Sequence, residues 1–324
     1  MKLLDIYARM KKDIAFVEKE LERSVDSDHT MLRETASHLL RAGGKRIRPV
    51  IVLLSAQFGT YDLERIKYIA VPLELIHMAS LVHDDVIDDA DLRRGQLTVK
   101  SKWDSRIAMY TGDYIFAKAL TIVTELDKPD IHRILSKSIV EMTIGEIEQL
   151  RLFYRVDQSV RDYLLRIRRK TALLIAISCQ LGGIAADAPR SVCNKLYSFG
   201  YNVGMAFQIR DDILDLTGTE KELGKPPGGD IRQGNITLPV LYAMQDAKLG
   251  GWLSSELQRI QDADGKTDVS ELLKAVRTSD GIERADELAN RYIDKAINRL
   301  RDLPDIQAKE DLIRIAHFVG NRSY

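Results

Sequence analysis

Cysteine is nearly missing from this chain, with only Cys179 and Cys193 among 324 residues. Two thiols exclude a disulfide framework and a thiolate-built zinc site. An excess of charge is missing too, because 48 Lys and Arg balance 48 Asp and Glu. That excludes a whole-chain basic field for nucleic acid, and an acidic tail. Long apolar runs are also lacking. The most apolar stretch, 172–186, contains Gln180 and falls short of the roughly 20 residues that span a bilayer. The opening Met1-Lys2-Leu3-Leu4-Asp5 turns charged at once and lacks the apolar core of a secretory signal. A soluble cytoplasmic chain is expected, with at most peripheral membrane contact.

Proline is scarce, eight residues in all, about half the usual ~5% share. Helical spacing fills the stretches between prolines. Ile6, Met10, Ile14, Val17 and Leu21 recur every three or four residues, as do Ile282, Ala285, Leu288, Ala289, Tyr292, Ile293, Ala296 and Leu300. Strict alternation is absent, so no sheet is expected. Residues 217–239 gather five glycines and three prolines, which predicts one long functional loop. The reading is a single all-α domain over 1–324, built of ten to thirteen helices.

Two aspartate clusters stand out. In Leu81-Val82-His83-Asp84-Asp85-Val86-Ile87-Asp88-Asp89, Asp84 and Asp88 stand four apart, one turn above each other on a helix. Glu74 and His77 lie on the same stripe. The pattern recurs at Asp211-Asp212-Ile213-Leu214-Asp215, with Gln208 one turn earlier. Like charges at this spacing repel, and a bound cation reverses that sign. One such cluster reads as a solvated acidic face; two, each within an apolar helix, do not. Carboxylates without thiols or paired histidines suit Mg²⁺ or Mn²⁺, and Mg²⁺ commonly shares one or two carboxylates with substrate phosphates. An EF-hand is excluded, because the sixth and twelfth positions from Asp84 are Asp89 and Gly95. The clusters therefore read as two Mg²⁺ banks facing one polyphosphate.

Phosphates need cations. Gly43-Gly44-Lys45-Arg46-Ile47-Arg48-Pro49 places Lys45 and Arg48 after a flexible pair, and Arg93 and Arg94 follow the first bank. Lys170-Thr171 and Gly224-Lys225 complete the set. Arg161, Arg166 and Arg168 read as solvated charges. A Walker A loop is excluded, since Pro226 stands where Ser or Thr is required.

Together GGKRIRP (43–49), LVHDDVIDDADLRRG (81–95), GDY (112–114), KTA (170–172), FQIRDDILD (207–215) and GKPPGGDIRQGNITLP (224–239) resemble the trans-isoprenyl diphosphate synthases, the head-to-tail polyprenyl synthetases. The matches fall in the family's order across most of the chain. Within the family, resemblance is strongest to the catalytic component of bacterial two-subunit heptaprenyl diphosphate synthases, whose product serves menaquinone.

The resemblance implies one large helical bundle with a central apolar tunnel, in which isopentenyl diphosphate is added repeatedly to an allylic diphosphate. Asp84, Asp88 and Asp211 would hold Mg²⁺ on the allylic diphosphate, with Asp85, Asp212 and Asp215 supporting. Arg93, Lys170 and Lys225 would contact that diphosphate, with Thr171 and Gln208 beside the reacting carbons. Lys45, Arg48, His77 and Arg94 would hold isopentenyl diphosphate, with Arg322 a weaker addition; His83 reads as structural, or as a support behind the ligands. Asn235 departs from the pattern, standing where the family's GKxTLP motif commonly has Lys.

Product length should depend on the helix of the first bank. Ala79 and Ser80 are small where short-chain members often carry an aromatic, and Ile76 and Leu73 would line later turns. The implied product exceeds C20 and matches C35. Gly200 and Gly204 would let a neighbouring helix approach closely. The implied partner is a non-catalytic small subunit, or a second copy in a homodimeric synthase of other chain length. A terpene cyclase should lack the Lys45, Arg48 and Arg94 set, and a regulatory subunit should have degraded aspartate banks.

Overall fold

The structure is a computed structural model describing residues 3–223 and 226–321. Lys225 and Arg322, assigned above by resemblance, lie outside the described residues. In order come α1 (Leu3–Arg9), α2 (Lys11–Ser24), α3 (Thr30–Arg41), α4 (Ile47–Ala56), α5 (Leu63–Ile87), β1 (Leu92–Arg93), β2 (Gln96–Leu97), α6 (Val99–Lys102), α7 (Ser105–Val123) and α8 (Pro129–Leu152). Then follow α9 (Val160–Ile167), a π-helical turn (Arg168–Ala172), α10 (Leu173–Ala185), α11 (Arg190–Thr217), α12 (Glu220–Leu223), α13 (Gly229–Arg232), α14 (Leu238–Ala243), α15 (Gly250–Asp262), α16 (Ser270–Thr278), α17 (Gly281–Leu300) and α18 (Gln307–Gly320). The all-α expectation holds.

Two details differ from it. Among the described residues there are eighteen α-helices, and five of them (α1, α6, α12, α13 and α14) have seven residues or fewer. Such pieces are shorter than the windows in which periodicity is legible. The described residues of the 217–239 segment are accordingly helix-punctuated rather than one open loop. The second difference is the two-residue hairpin, Leu92 opposite Leu97 and Arg93 opposite Gln96. Arg94 and Gly95 between them both have positive φ, 53° and 76°, as a tight I′ hairpin turn demands.

The described residues form two compact units. One takes the chain up to Leu135 with Ile177–Tyr197 and Leu303–Leu312, and the other takes Ser136–Ala176, Ser198–Asp302 and the chain from Ile313. In the first unit α5 packs mainly on α7 and α4. It is buried nearly all round, with Ile66, Ile69, Leu73, Leu75, Ile76, Met78, Ala79 and Val82 inside. Asp62 begins it by accepting the Glu64 amide at 3.0 Å, an N-cap bond. The apolar face of Ile6, Met10, Ile14, Val17 and Leu21 is buried across the α1–α2 break.

In the second unit α14 packs on α17, whose Ala285, Ala289, Ile293, Ala296 and Leu300 are buried as their spacing predicts. Tyr163, Met205, Ile209, Leu216, Ile231 and Ile236 join this core. Ser159 starts α9 with a capping box to Asp162. Both cysteines are free and buried. Among the described residues no helix is long and apolar enough to cross a membrane.

Candidate active site

The first aspartate bank sits at the C-terminal end of α5. Asp84 lies in the last turn, and Asp88 is the C-cap, its amide bonded to the Asp84 carbonyl at 2.8 Å. No basic residue occupies that turn. Carboxylates here meet the partial negative charge of the unpaired carbonyls, at a cost of roughly 0.3–1 kcal/mol each. Asp85 points inward at 3% exposure, held by Arg93 from β1 at 2.7 Å. Burial raises its pKa, with the Arg93 bond opposing. His83 packs over Gly112, with Nε2 3.3 Å from both the Met109 carbonyl and Asp113.

A guanidinium cluster lies in the same unit. Arg46, in left-handed conformation at the start of α4, is buried and donates to Glu74 at 3.1 Å and to the Leu40 carbonyl at 3.1 Å. Arg94 lies on the face of Gly44, where an added Cβ would meet its Nη1 at 2.5 Å, and it donates to the Gly43 carbonyl. Lys45 is exposed. His77 has its pKa driven well below the usual value, first by burial and then by Arg48, Arg94, Arg93 and Arg46. It is therefore neutral at pH 7. Burial also lowers the pKa of Arg48, against the pull of Glu74; a guanidinium nonetheless stays charged. The cluster is a cationic socket with a neutral imidazole inside it.

The second unit carries the other bank near the end of α11, where no basic residue stands in the last turn. Asp211 is partly exposed. Asp212 is 3% exposed, and each of its oxygens accepts a hydrogen bond. Oδ2 accepts the Tyr163 hydroxyl at 2.7 Å, and Oδ1 accepts the Gln208 amide at 2.8 Å. Burial raises its pKa to about 6. Asp215 accepts the Asp230 amide at 3.1 Å and, through its carbonyl, the Gly228 amide at 2.8 Å. That ties the glycine-rich segment to the bank.

Lys170 and Thr171 stand on the π-helical turn, a distortion frequent at functional sites. Two glycines let this turn approach its neighbours. A Cβ at Gly204 would come 2.5 Å from the Ala172 Cα, and one at Gly145 would come 2.6 Å from the Arg169 Cβ. Thr171 consequently donates to Gln208 Oε1 at 2.6 Å, and Lys170 pairs with Glu146 at 3.0 Å. Gly204 thus does what its spacing suggested, toward a helix of its own chain.

Several expectations change. Arg166 is not a solvated charge; it is 4% exposed, donates to the Ile236 carbonyl at 3.0 Å, and stands 5.4 Å from the Tyr163 ring centre. Arg46, Glu146 and Tyr163 carry no signal in the sequence, because their side-chain partners Glu74, Lys170 and Asp212 lie 24 or more residues away and no local spacing marks the pairing. Ala79 and Ile76 are buried, and Ser80 donates to the His77 carbonyl at 2.8 Å.

The donors at both banks are hard oxygens without thiols, which fits Mg²⁺ or a like ion. Among the described residues no three carboxylate, imidazole or thiol groups converge to hold a metal by themselves. One or two carboxylates completed by substrate phosphate is the usual Mg²⁺ arrangement.

The polyprenyl synthetase family model matches residues 29–276. Heptaprenyl diphosphate synthase component 2 of Geobacillus stearothermophilus is 56% identical, covering all of both chains. The protein of the same name from Bacillus subtilis is 52% identical over all of this chain and 92% of its own. Among solved structures, heptaprenyl diphosphate synthase from Staphylococcus aureus superposes with a TM-score of 0.90 at 40% identity, covering 97% of this chain and 98% of the other. A Caulobacter crescentus polyprenyl synthase complexed with calcium and isoprenyl diphosphate gives 0.91 at 30% identity, covering 99% and 98%.

Proposed function

Because the chain belongs to the polyprenyl synthetase family and is a trans-prenyltransferase, we propose that it makes all-trans heptaprenyl diphosphate (C35) for a menaquinone side chain. The observation that carries this reading is a carboxylate-rich helix end and a guanidinium socket in the first unit, with a second carboxylate-rich helix end in the other. The names of the two bacterial relatives supply the product length.

Residues 1–324 act as one synthetase domain around a central apolar tunnel. Asp84 and Asp88, with Asp211 and support from Asp215, bind Mg²⁺ together with the allylic diphosphate, farnesyl diphosphate being the expected primer. When bound, the ion neutralises charge developing on the departing pyrophosphate. Arg93, fixed by Asp85, and Lys170, balanced by Glu146, hold the same diphosphate; Lys225 serves there as well. Arg48, Arg94 and Lys45 hold isopentenyl diphosphate, and neutral His77 offers an N–H without adding to the crowded positive charge.

The allylic C–O bond breaks, the isopentenyl double bond attacks the cationic carbon, and a proton passes to the released pyrophosphate. Thr171 and Gln208 face the cation as dipoles, a preorganised stabilisation that water could supply only after reorganising. The chain grows along α5 past Ala79, Ser80 and Ile76. A second, non-catalytic subunit completes the enzyme, as the word component in the relatives' names suggests. The expected setting is the cytoplasm, with peripheral membrane contact when product leaves.

Pyrophosphate release tests the reading, using the purified chain supplemented with lysate of its source organism. Release should need farnesyl diphosphate, isopentenyl diphosphate and Mg²⁺ together and stop on chelation. A folded chain that adds nothing to the lysate's own rate would refute it.

A further inference from the structure

Resting on that reading, we infer that Tyr163 and Asp212 are positioning residues that set the polarity of the Gln208–Thr171 pair beside the reacting carbons. Three hydrogen bonds run in series: Tyr163 Oη to Asp212 Oδ2 at 2.7 Å, Gln208 Nε2 to Asp212 Oδ1 at 2.8 Å, and Thr171 Oγ1 to Gln208 Oε1 at 2.6 Å. The direction follows from the donors: Tyr163 Oη and Gln208 Nε2 each donate, and Asp212 accepts at both of its oxygens. Arg166 is buried beside the Tyr163 ring.

A carboxamide has one donor end and one acceptor end. With its NH₂ turned to Asp212, Gln208 must present its carbonyl oxygen to Thr171. That oxygen takes the only hydroxyl proton Thr171 has. The lone pairs of Thr171 are then its sole remaining hydrogen-bonding capacity, and they can face a carbocation. With its proton committed, the hydroxyl presents its negative end. The opposite amide orientation would free that proton and turn a positive end toward the developing cation. Tyr163 closes the series at its buried end, 0% exposed, so that Asp212 cannot swing to another donor.

A double-mutant cycle on the full chain with its lysate partner tests this, since coupled groups give non-additive losses. Tyr163→Phe should lower kcat at least tenfold while KM for each substrate moves less than threefold. Thr171→Val should cost a similar factor. The double variant should fall no more than about twofold below Thr171→Val alone. In a Thr171→Ser background, which keeps the hydroxyl, the full tenfold effect should return. Losses that simply multiply, or a wild-type kcat in Tyr163→Phe, would overturn the inference.

If Tyr163→Phe does not fold, a swap serves instead. Gln208→Glu places carboxylate against carboxylate, and adding Asp212→Asn restores a donor to the pair. The swap should recover kcat at least tenfold over Gln208→Glu alone, and no recovery would overturn the inference. An unsubstituted chain that transfers no prenyl group under any condition sinks the prenyl-transfer reading, and this inference with it.

Discussion

Gly204→Ala is the smallest change that should uncouple Thr171 from Gln208. The added methyl would sit 2.5 Å from the Ala172 Cα, 3.0 Å from its Cβ and 3.2 Å from its carbonyl oxygen. The nearest of these is backbone, so no side chain can swing aside. Reaching ordinary contact at 3.4 Å requires the π-helical turn and α11 to part by about 0.9 Å. If that displacement passes to the Thr171–Gln208 bond, now 2.6 Å, it lengthens to about 3.5 Å, beyond useful hydrogen-bond range. Overpacking of this kind costs roughly 1–3 kcal/mol of stability. A misplacement near 1 Å at a reacting centre costs on the order of 10²-fold in rate. Urea unfolding and steady-state kinetics on the same preparation read both effects. An unchanged urea midpoint together with wild-type kcat would refute the reasoning, because the contact would then not be tight.

Three further outcomes are expected. Asp84→Ala should reduce turnover by orders of magnitude while circular dichroism stays unchanged and the urea midpoint does not fall; near-normal turnover would remove the first bank from the chemistry. Ala79→Tyr should shorten the product read by mass spectrometry, whereas an unaltered length would mean the growing chain does not pass that position. Asp212, with a folded pKa near 6 against an ordinary 3.8, binds a proton in the folded state that the unfolded chain has already released between those values. Its contribution to stability is complete below pH 3.8 and is lost as pH rises to about 6, by on the order of a few kcal/mol. In metal-free buffer Asp212→Asn should flatten that part of the stability profile between about pH 4 and pH 6, and an identical slope in both proteins would contradict the assignment.

The aspartate banks were legible because a four-residue spacing on a helix is a local property. The periodic faces of α2 and α17 were legible for the same reason. What each carboxylate does was not legible. Asp84 and Asp85 are neighbours in sequence, yet Asp85 is turned inward and tied to Arg93. Asp211 and Asp212 likewise differ only in which side of α11 they occupy. Arg46 and Arg48 look interchangeable in the GGKRIRP stretch, but Arg46 is spent on Glu74, 28 residues away. Arg166 sits in a basic run that suggests a wet surface, and only the packing of α9 against Ile236 shows it buried. The hairpin carrying Arg93 is two residues per strand, too short for alternation to register. Tertiary pairing decided each of these cases, and a single sequence carries no direct trace of it.

Product length measured with and without a partner tests the central claim most directly. The purified chain would be given farnesyl diphosphate, labelled isopentenyl diphosphate and Mg²⁺, alone and with lysate of its source organism, and the products would be read by mass. The account predicts a C35 diphosphate that accumulates in the mixture at a rate set by the amount of chain added, with little or none from the chain alone. A folded chain that yields no elongated product in either arm, or one whose product stops at C20, would contradict it.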